Sequence, residues 1–466
     1  MASNESNREE DEEKDEHLFR QVFGNTCIAT RINKIRNNDP DENTLLAYGD
    51  SLSDRAWELV GQYIANNTYL NIVKLRNCLT DKKMALLFNA LVEGSRSPLQ
   101  KINLSANNFG IAGVRRMVPF LQNCQNLSYI DLSTNNNIDT AAFEVLVNAL
   151  NGSPIEELSL NMCSINDVSA LESCSLPHLT SLALANNSIR NMGSVSALEN
   201  YTKLQDINLY GNNVGIDGCR TLAHLLQNED SSLKTLDLDE NDVDDEGVEV
   251  LANSLKHNTT LESLELDGNI NIKKRGLKAF LKILIDVSSI DNTYNSNHTL
   301  TELSIPSDIV DDNIKRHIDN MIDKNDGKNP GRRKVIACQL NSSNRTELSD
   351  LQGVTCTHNS VYSQIDPVVL PDVLAMVGGE ECTHDDMYCA LITTASDLMS
   401  LVNKPAVLKE RMNDKKKQID EYNQKIGVLK AEINELNEEL QSLSIPGVSN
   451  DDMVSDSRKK KRRRDS

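Results

Sequence analysis

The chain has 466 residues, of which 39% are hydrophobic and only 4% aromatic, and its formal net charge is -21. That length exceeds what one compact core organises, and a core so poor in aromatic side chains must be built from Leu, Ile, Val and Ala. The charge argues against unspecific binding to nucleic acid or to an anionic membrane, and no apolar run reaches the roughly 18 residues needed to span a bilayer.

The N-terminal residues MASNESNREEDEEKDEH lack the basic and apolar regions of a secretory signal. The expected setting is therefore intracellular, and the ten cysteines read as reduced thiols. Residues 1–17 hold eight acidic and two basic residues, so 1–40 is expected to be acidic and largely disordered. Within it Leu18, Phe19, Val22 and Phe23 offer one face of a short docking helix. The amphipathic stretch from Ser53 to Val60 reads as a helix in an N-terminal cap, 41–69, that shields the open end of a repeat array beginning at Leu70.

From Leu70 the sequence repeats the pattern L-x-x-L-x-L-x-x-N/C. LNIVKLRNC is followed by copies beginning at Leu99, Leu127, Ile155, Leu179, Leu204, Leu233 and Leu261, and by a degenerate copy at Leu300. The steps between starts are 29, 28, 28, 24, 25, 29, 28 and 39 residues. The three apolar positions point inward from a short strand and the bend entering it. The ninth position lies where the chain turns, and an Asn there caps backbone groups of neighbouring turns. Asn107, Asn135, Asn187, Asn212, Asn241 and Asn269 form this ladder, with Cys78 and Cys163 substituting in it. Helical periodicity follows the strands, as in Ile111–Leu121 and Glu246–Leu255.

Strand plus full helix at this period resembles the ribonuclease-inhibitor-type (RNI-like) leucine-rich repeat. The resemblance covers residues 70–325. It implies an α/β fold: a right-handed solenoid, or horseshoe, of about nine repeats, with parallel strands inside and helices outside. Two departures stand out. Ser164–His178 has little room for a helix, and Ser288–His298 is a polar, turn-rich excess expected to project as a loop.

Beyond the repeats, 326–366 reads as a linker with a short strand at Lys334–Leu340, and 367–404 as a small helical segment. Heptads over 405–445 read as a coiled coil. Ile419, Ile426, Ile433 and Leu440 fall on one seam position and Tyr422, Leu429 and Leu436 on the other. Such a coil implies a dimer partner, either a second copy or another chain. The tail 446–466 contains seven consecutive basic residues, Arg458, Lys459, Lys460, Lys461, Arg462, Arg463 and Arg464, a candidate nuclear-import signal.

Candidate chemistry is sparse. There is no Gly-x-Ser-x-Gly elbow, phosphate loop, His-Glu-x-x-His or dinucleotide fingerprint, so neither an enzyme nor a cofactor is expected. Asp237–Gly247 superficially suggests a calcium loop, but Asp242 and Val248 stand where that loop needs Gly and Glu. Cys356, His358, Cys382, His384 and Cys389 lack the spacing of common zinc modules, and no metal is expected.

The solvent-facing strand positions are more informative. They run from basic (Lys74, Arg76, Lys101) to acidic: Asp206, Asn208, Tyr210, Asp237, Asp239, Glu240, Glu265 and Asp267. One sign of charge gathered on a concave repeat surface attracts a partner of the other sign, here a basic protein. The expected function is a non-enzymatic protein-interaction scaffold. A second reading is a regulator of a small GTPase. Ran GTPase-activating proteins resemble this chain in repeat length and in carrying an acidic segment. Here the acid-rich tract is N-terminal rather than C-terminal, and no arginine or asparagine of that family matches a position.

Overall fold

The computed structural model describes residues 2–24, 28–49, 52–92, 98–194, 196–306, 312–326, 330–335, 337–338 and 342–353. All of them belong to one compact unit, Met1–Tyr388. The segment 367–404, the heptads of 405–445 and the basic tail lie outside the described residues.

Two helices open the chain, α1 (Ala2–Phe23) and α2 (Ala29–Arg36). Strand and helix then alternate: β1 (Thr44–Tyr48), α3 (Asp54–Asn66), β2 (Ile72–Arg76), α4 (Asp81–Val92), β3 (Lys101–Asn103), α5 (Ile111–Asn123), β4 (Tyr129–Asp131) and α6 (Thr140–Ala149). Between β5 (Glu157–Ser159) and β6 (Ser181–Ala183) the only helix is a 3-10 turn, Ser169–Ser173, as the short spacing requires. The pattern resumes with β7 (Asp206–Asn208), α7 (Ile216–Gln227), β8 (Thr235–Asp237), α8 (Asp245–Leu255), β9 (Ser263–Glu265) and α9 (Lys274–Leu284). It ends with α10 (Ile290–Tyr294), β10 (Glu302–Ser304), α11 (Asp312–Asn325), α12 (Pro330–Val335) and α13 (Ser342–Gln352). The ten strands form one parallel sheet in strict chain order. This is a leucine-rich-repeat solenoid.

The repeat positions explain the packing. Leu233, Leu236 and Leu238 are fully buried, as are Leu261, Leu264 and Leu266 one repeat later. Against them α8 turns Val248, Leu251, Ala252 and Leu255, a three-to-four-residue spacing that fills one helix face. Burying each such leucine contributes about 2 kcal/mol. The ninth position closes the backbone. Asn212 Nδ2 donates to Leu184 O at 3.0 Å and Leu209 O at 2.9 Å, while its Oδ1 accepts from Ile189 N at 3.0 Å. One side chain thus joins two successive turns.

The eighth position has a feature the sequence hides. Asn77, Ala106, Thr134, Met162, Asn186 and Glu240 all take the left-handed conformation there, as do Gly211 and Gly268. Thr134, at φ 61°, is β-branched and the least suited to it. Thr134→Gly should therefore raise stability by about 1 kcal/mol, read as a higher urea midpoint with an unchanged slope; no gain would mean that the backbone is relaxed there.

Four expectations need correction. The stretch 41–69 is not simply a cap, because β1 and α3 form a repeat of their own. Aligned with the next copy, it has Glu42 at the first apolar position and Ala47 at the third, so the pattern cannot be read. The segment expected to be disordered is helical: α1 packs Phe19 and Phe23 with Leu18 and Val22, and Arg36 lies over the Phe19 ring at 4.7 Å and pairs with Glu16 at 2.8 Å. At the other end Ser288–His298 does not project. Thr293, Ser296 and Asn297 are buried, and Asn297 Nδ2 donates to Leu255 O at 2.8 Å.

The stretch read as a strand from Lys334 instead begins in α12, where Lys334 is fully buried and its Nζ donates to Leu284 O at 2.7 Å and Asn297 O at 2.6 Å. Burial pushes its pKa down to about 7, and two carbonyls match the two donors of a neutral amine. The unfolded lysine holds its proton to 10.5, so between pH 7 and 10.5 the unfolded chain binds more protons and stability rises with pH. From pH 7 to 8.5 the gain should be about 1.5 kcal/mol and should be absent from Lys334→Met. Equal slopes of unfolding free energy against pH in the two proteins would contradict this.

Candidate functional site

Strand alternation sends the outer residues of each strand to one face of the sheet. The register aligns Asp206, Thr235, Ser263 and Glu302 in one row, and Asn208, Asp237, Glu265 and Ser304 in the next. Tyr210, Asp239 and Asp267 follow where the strands end. Along the same face earlier strands supply Asp131 and Glu157, and at the first end β1 and β2 supply Leu46, Tyr48, Lys74 and Arg76.

The structure brings three of the sequence-derived residues into one cluster. One carboxylate oxygen each of Asp237, Asp239 and Glu265 lies within 4.8 Å of the others. Asp206, Glu240 and Asp267 are exposed around it, and Asn208 and Tyr210 are half-buried. Part of this carboxylate content has a structural task. Asp237 Oδ1 accepts from Asp239 N at 3.1 Å, and Asp239 Oδ1 accepts from Asp267 N at 2.5 Å. Asp131 and Asn103 make the same turn-closing bond to Ser133 N and Ser105 N at 2.9 and 3.0 Å, so a short acceptor at this position serves the fold.

The charge itself is strained. Partial burial raises the pKa of Asp237, Asp239 and Glu265, reinforced at Asp239 by Asp237, Glu265 and Asp267, and at Glu265 by Asp237 and Glu302. Asp239 reaches about 6. The neighbouring Glu240 carboxylate raises the pKa of the Tyr210 hydroxyl. No Lys or Arg among the described residues forms an ion pair with any of these carboxylates. The cluster has the chemistry to receive a cation, either an ammonium or guanidinium side chain or a hard metal ion. The calcium-loop resemblance dissolves in the fold, since Asp237 ends β8 and Val248 is buried in α8. The Cys356, His358, Cys382, His384 and Cys389 set, the seam residues Ile419 to Leu440 and the basic run Arg458 to Arg464 lie outside the described residues.

Sequence reasoning missed Ser263, which occupies an outward position beside Glu265 yet is only 7% exposed, its hydroxyl without a hydrogen-bond partner. Its neighbours in the register could only be known from the sheet. It also missed Leu46 and Tyr48, because their strand carries no readable repeat.

Known proteins resemble the repeats. A family model described as Leucine Rich repeat matches residues 229–252 and 257–281. Protein CARMIL of Dictyostelium discoideum is 30% identical over 193 residues, 38% of this chain and 18% of that protein. The ribonuclease inhibitor of Mus musculus is 27% identical over 256 residues, 46% of this chain and 56% of that protein. The NACHT, LRR and PYD domains-containing protein 13 of Homo sapiens is 32% identical over 181 residues, 36% of this chain and 16% of that protein. The matched regions thus span between about a sixth and just over half of these relatives. No described helix is long and apolar enough to cross a membrane.

Proposed function

From the premise that this chain carries leucine-rich repeats of the ribonuclease-inhibitor type, we propose that it is a non-enzymatic scaffold that holds a basic protein segment on its acidic sheet face. Repeat solenoids use such extended surfaces for protein binding. The observation that carries the reading is the Asp237–Asp239–Glu265 cluster, three carboxylates without an ion pair among the described residues, whose mutual repulsion a cationic partner would relieve. Asp206, Asn208, Tyr210, Glu240 and Asp267 extend the contact to either side. Association through the heptads of 405–445, with a second copy or another chain, and import through Arg458–Arg464 complete the proposal from sequence alone.

Affinity capture with the whole chain and with a chain ending at Pro405 apportions the partners. A basic protein kept by both and released by salt supports the acidic face. Loss of every partner on truncation would sink it and move the binding function to the C-terminal segments.

A further inference from the structure

At the opposite end of the sheet the same face carries a different chemistry. Leu46 is 45% exposed and Tyr48 70% exposed, rare for large apolar side chains among the described residues. The parallel register sets Leu46 beside Lys74 and Tyr48 beside Arg76, and one strand further sets Ile72 beside Lys101. Lys74, Arg76 and Lys101 are exposed, and none forms an ion pair among the described residues. Lys101 instead lies over the Tyr129 ring at 5.4 Å. The cross-strand neighbours of Lys74 and Arg76 are Leu46, Asn103 and Tyr48, so no carboxylate adjoins them in the register.

The patch continues over the edge of the sheet. Among the described residues β1 pairs only with β2, and along its outer side runs a groove of about 440 Å³ whose lining includes Ile28, Arg31, Lys34, Glu42, Leu46 and Tyr48. Arg31 and Lys34 share one carboxylate, Glu42, at 3.2 and 3.6 Å, which leaves this wall positive.

We propose that this end of the sheet is a second docking site, which takes an acidic, leucine- or aromatic-bearing segment of a partner protein. Two physical arguments choose this occupant. In a chain of net charge -21, cations left without local partners beside exposed apolar side chains form a surface complementary to carboxylates and apolar groups together. Nucleic acid would use the cations and Tyr48 but would leave Leu46 and the groove uncovered, and it would meet the repulsion of the rest of the chain. The apolar side chains of the segment enter the groove beside Leu46 and Tyr48, while its carboxylates meet Lys74 and Arg76. The site is distinct from the acidic cluster and of opposite sign, so it stands whether or not that cluster binds a partner.

The test uses the full chain and a fluorescent peptide of alternating Glu and Leu, followed by anisotropy at low salt. The wild type should bind it. Lys74→Glu with Arg76→Glu should weaken binding by about tenfold or more, and Leu46→Ser with Tyr48→Ser should do so separately. Failure of the wild type to bind, or equal binding by either patch variant with an unchanged circular dichroism spectrum, would overturn the proposal. So would displacement of the peptide by a single-stranded oligonucleotide of equal length at lower concentration.

Discussion

Asn269→Ala should cost about 3 kcal/mol of unfolding free energy, several times what truncating a surface Asn costs. Asn269 is fully buried. Its Nδ2 donates to Leu238 O at 2.8 Å and Leu266 O at 2.9 Å, and its Oδ1 accepts from Val243 N at 3.0 Å. Alanine leaves Leu266 O and Val243 N without partners in an interior that water does not reach, and leaves Leu238 O with only its bond from Asn241 Nδ2 at 3.1 Å; each orphan costs about 1 kcal/mol or more. Asn135 supplies an internal control. It is equally buried and donates to Leu104 O and Leu132 O at 3.0 and 2.8 Å, but its Oδ1 has no partner. Asn135→Ala should therefore cost about 1 kcal/mol less than Asn269→Ala. Urea denaturation of the three proteins measures both values. Losses below about 1 kcal/mol at both positions would show that the ladder does not join the turns.

Neutralising the acidic cluster should move stability and binding in opposite directions. Asp237→Asn, Asp239→Asn and Glu265→Gln keep the oxygens that close the turns but remove three charges that repel one another. The folded Asp239 carboxyl takes up its proton near pH 6, whereas the unfolded one does so near 3.8. Between these values the native state holds more protons. The stability from this group is therefore present below 3.8 and is lost as pH rises through 6. Allowing for solvent screening, the triple variant should be about 1 kcal/mol more stable than the wild type at neutral pH, and the difference should shrink toward pH 4. The same variant should bind a basic partner about tenfold to hundredfold more weakly, from three ion pairs of up to about 1 kcal/mol each. A variant that is less stable at neutral pH would show that the carboxylates serve the fold rather than a partner.

The repeats were legible because their chemistry is local. Three apolar positions and an Asn recur at fixed offsets, and they locate nine of the ten strands without reference to the sheet. The tenth, β1, was hidden because Glu42 and Ala47 replace two of the pattern's leucines, and with it went Leu46 and Tyr48. The acidic residues of the face could be named from strand alternation alone. Which of them converge could not, since this depends on the register that sets Asp237 against Glu265 and on the turn that brings Asp239 back to Asp267. The C-terminal end misled for a similar reason. Ser288–His298 is polar in sequence, yet its Asn297 and Thr293 spend their polar atoms on backbone groups of neighbouring turns, and a buried lysine fixes it from α12. Polarity signals exposure only where no such partner exists.

The central claim is that the sheet face around Asp237, Asp239 and Glu265 holds a partner. Amide hydrogen exchange of the full chain, alone and with a captured basic partner, tests it directly. The account predicts new protection concentrated in residues 206–210, 235–240 and 263–268, the strands and turns of that face. Protection confined to the helices α7 to α9, or only to residues beyond Pro405, would contradict it.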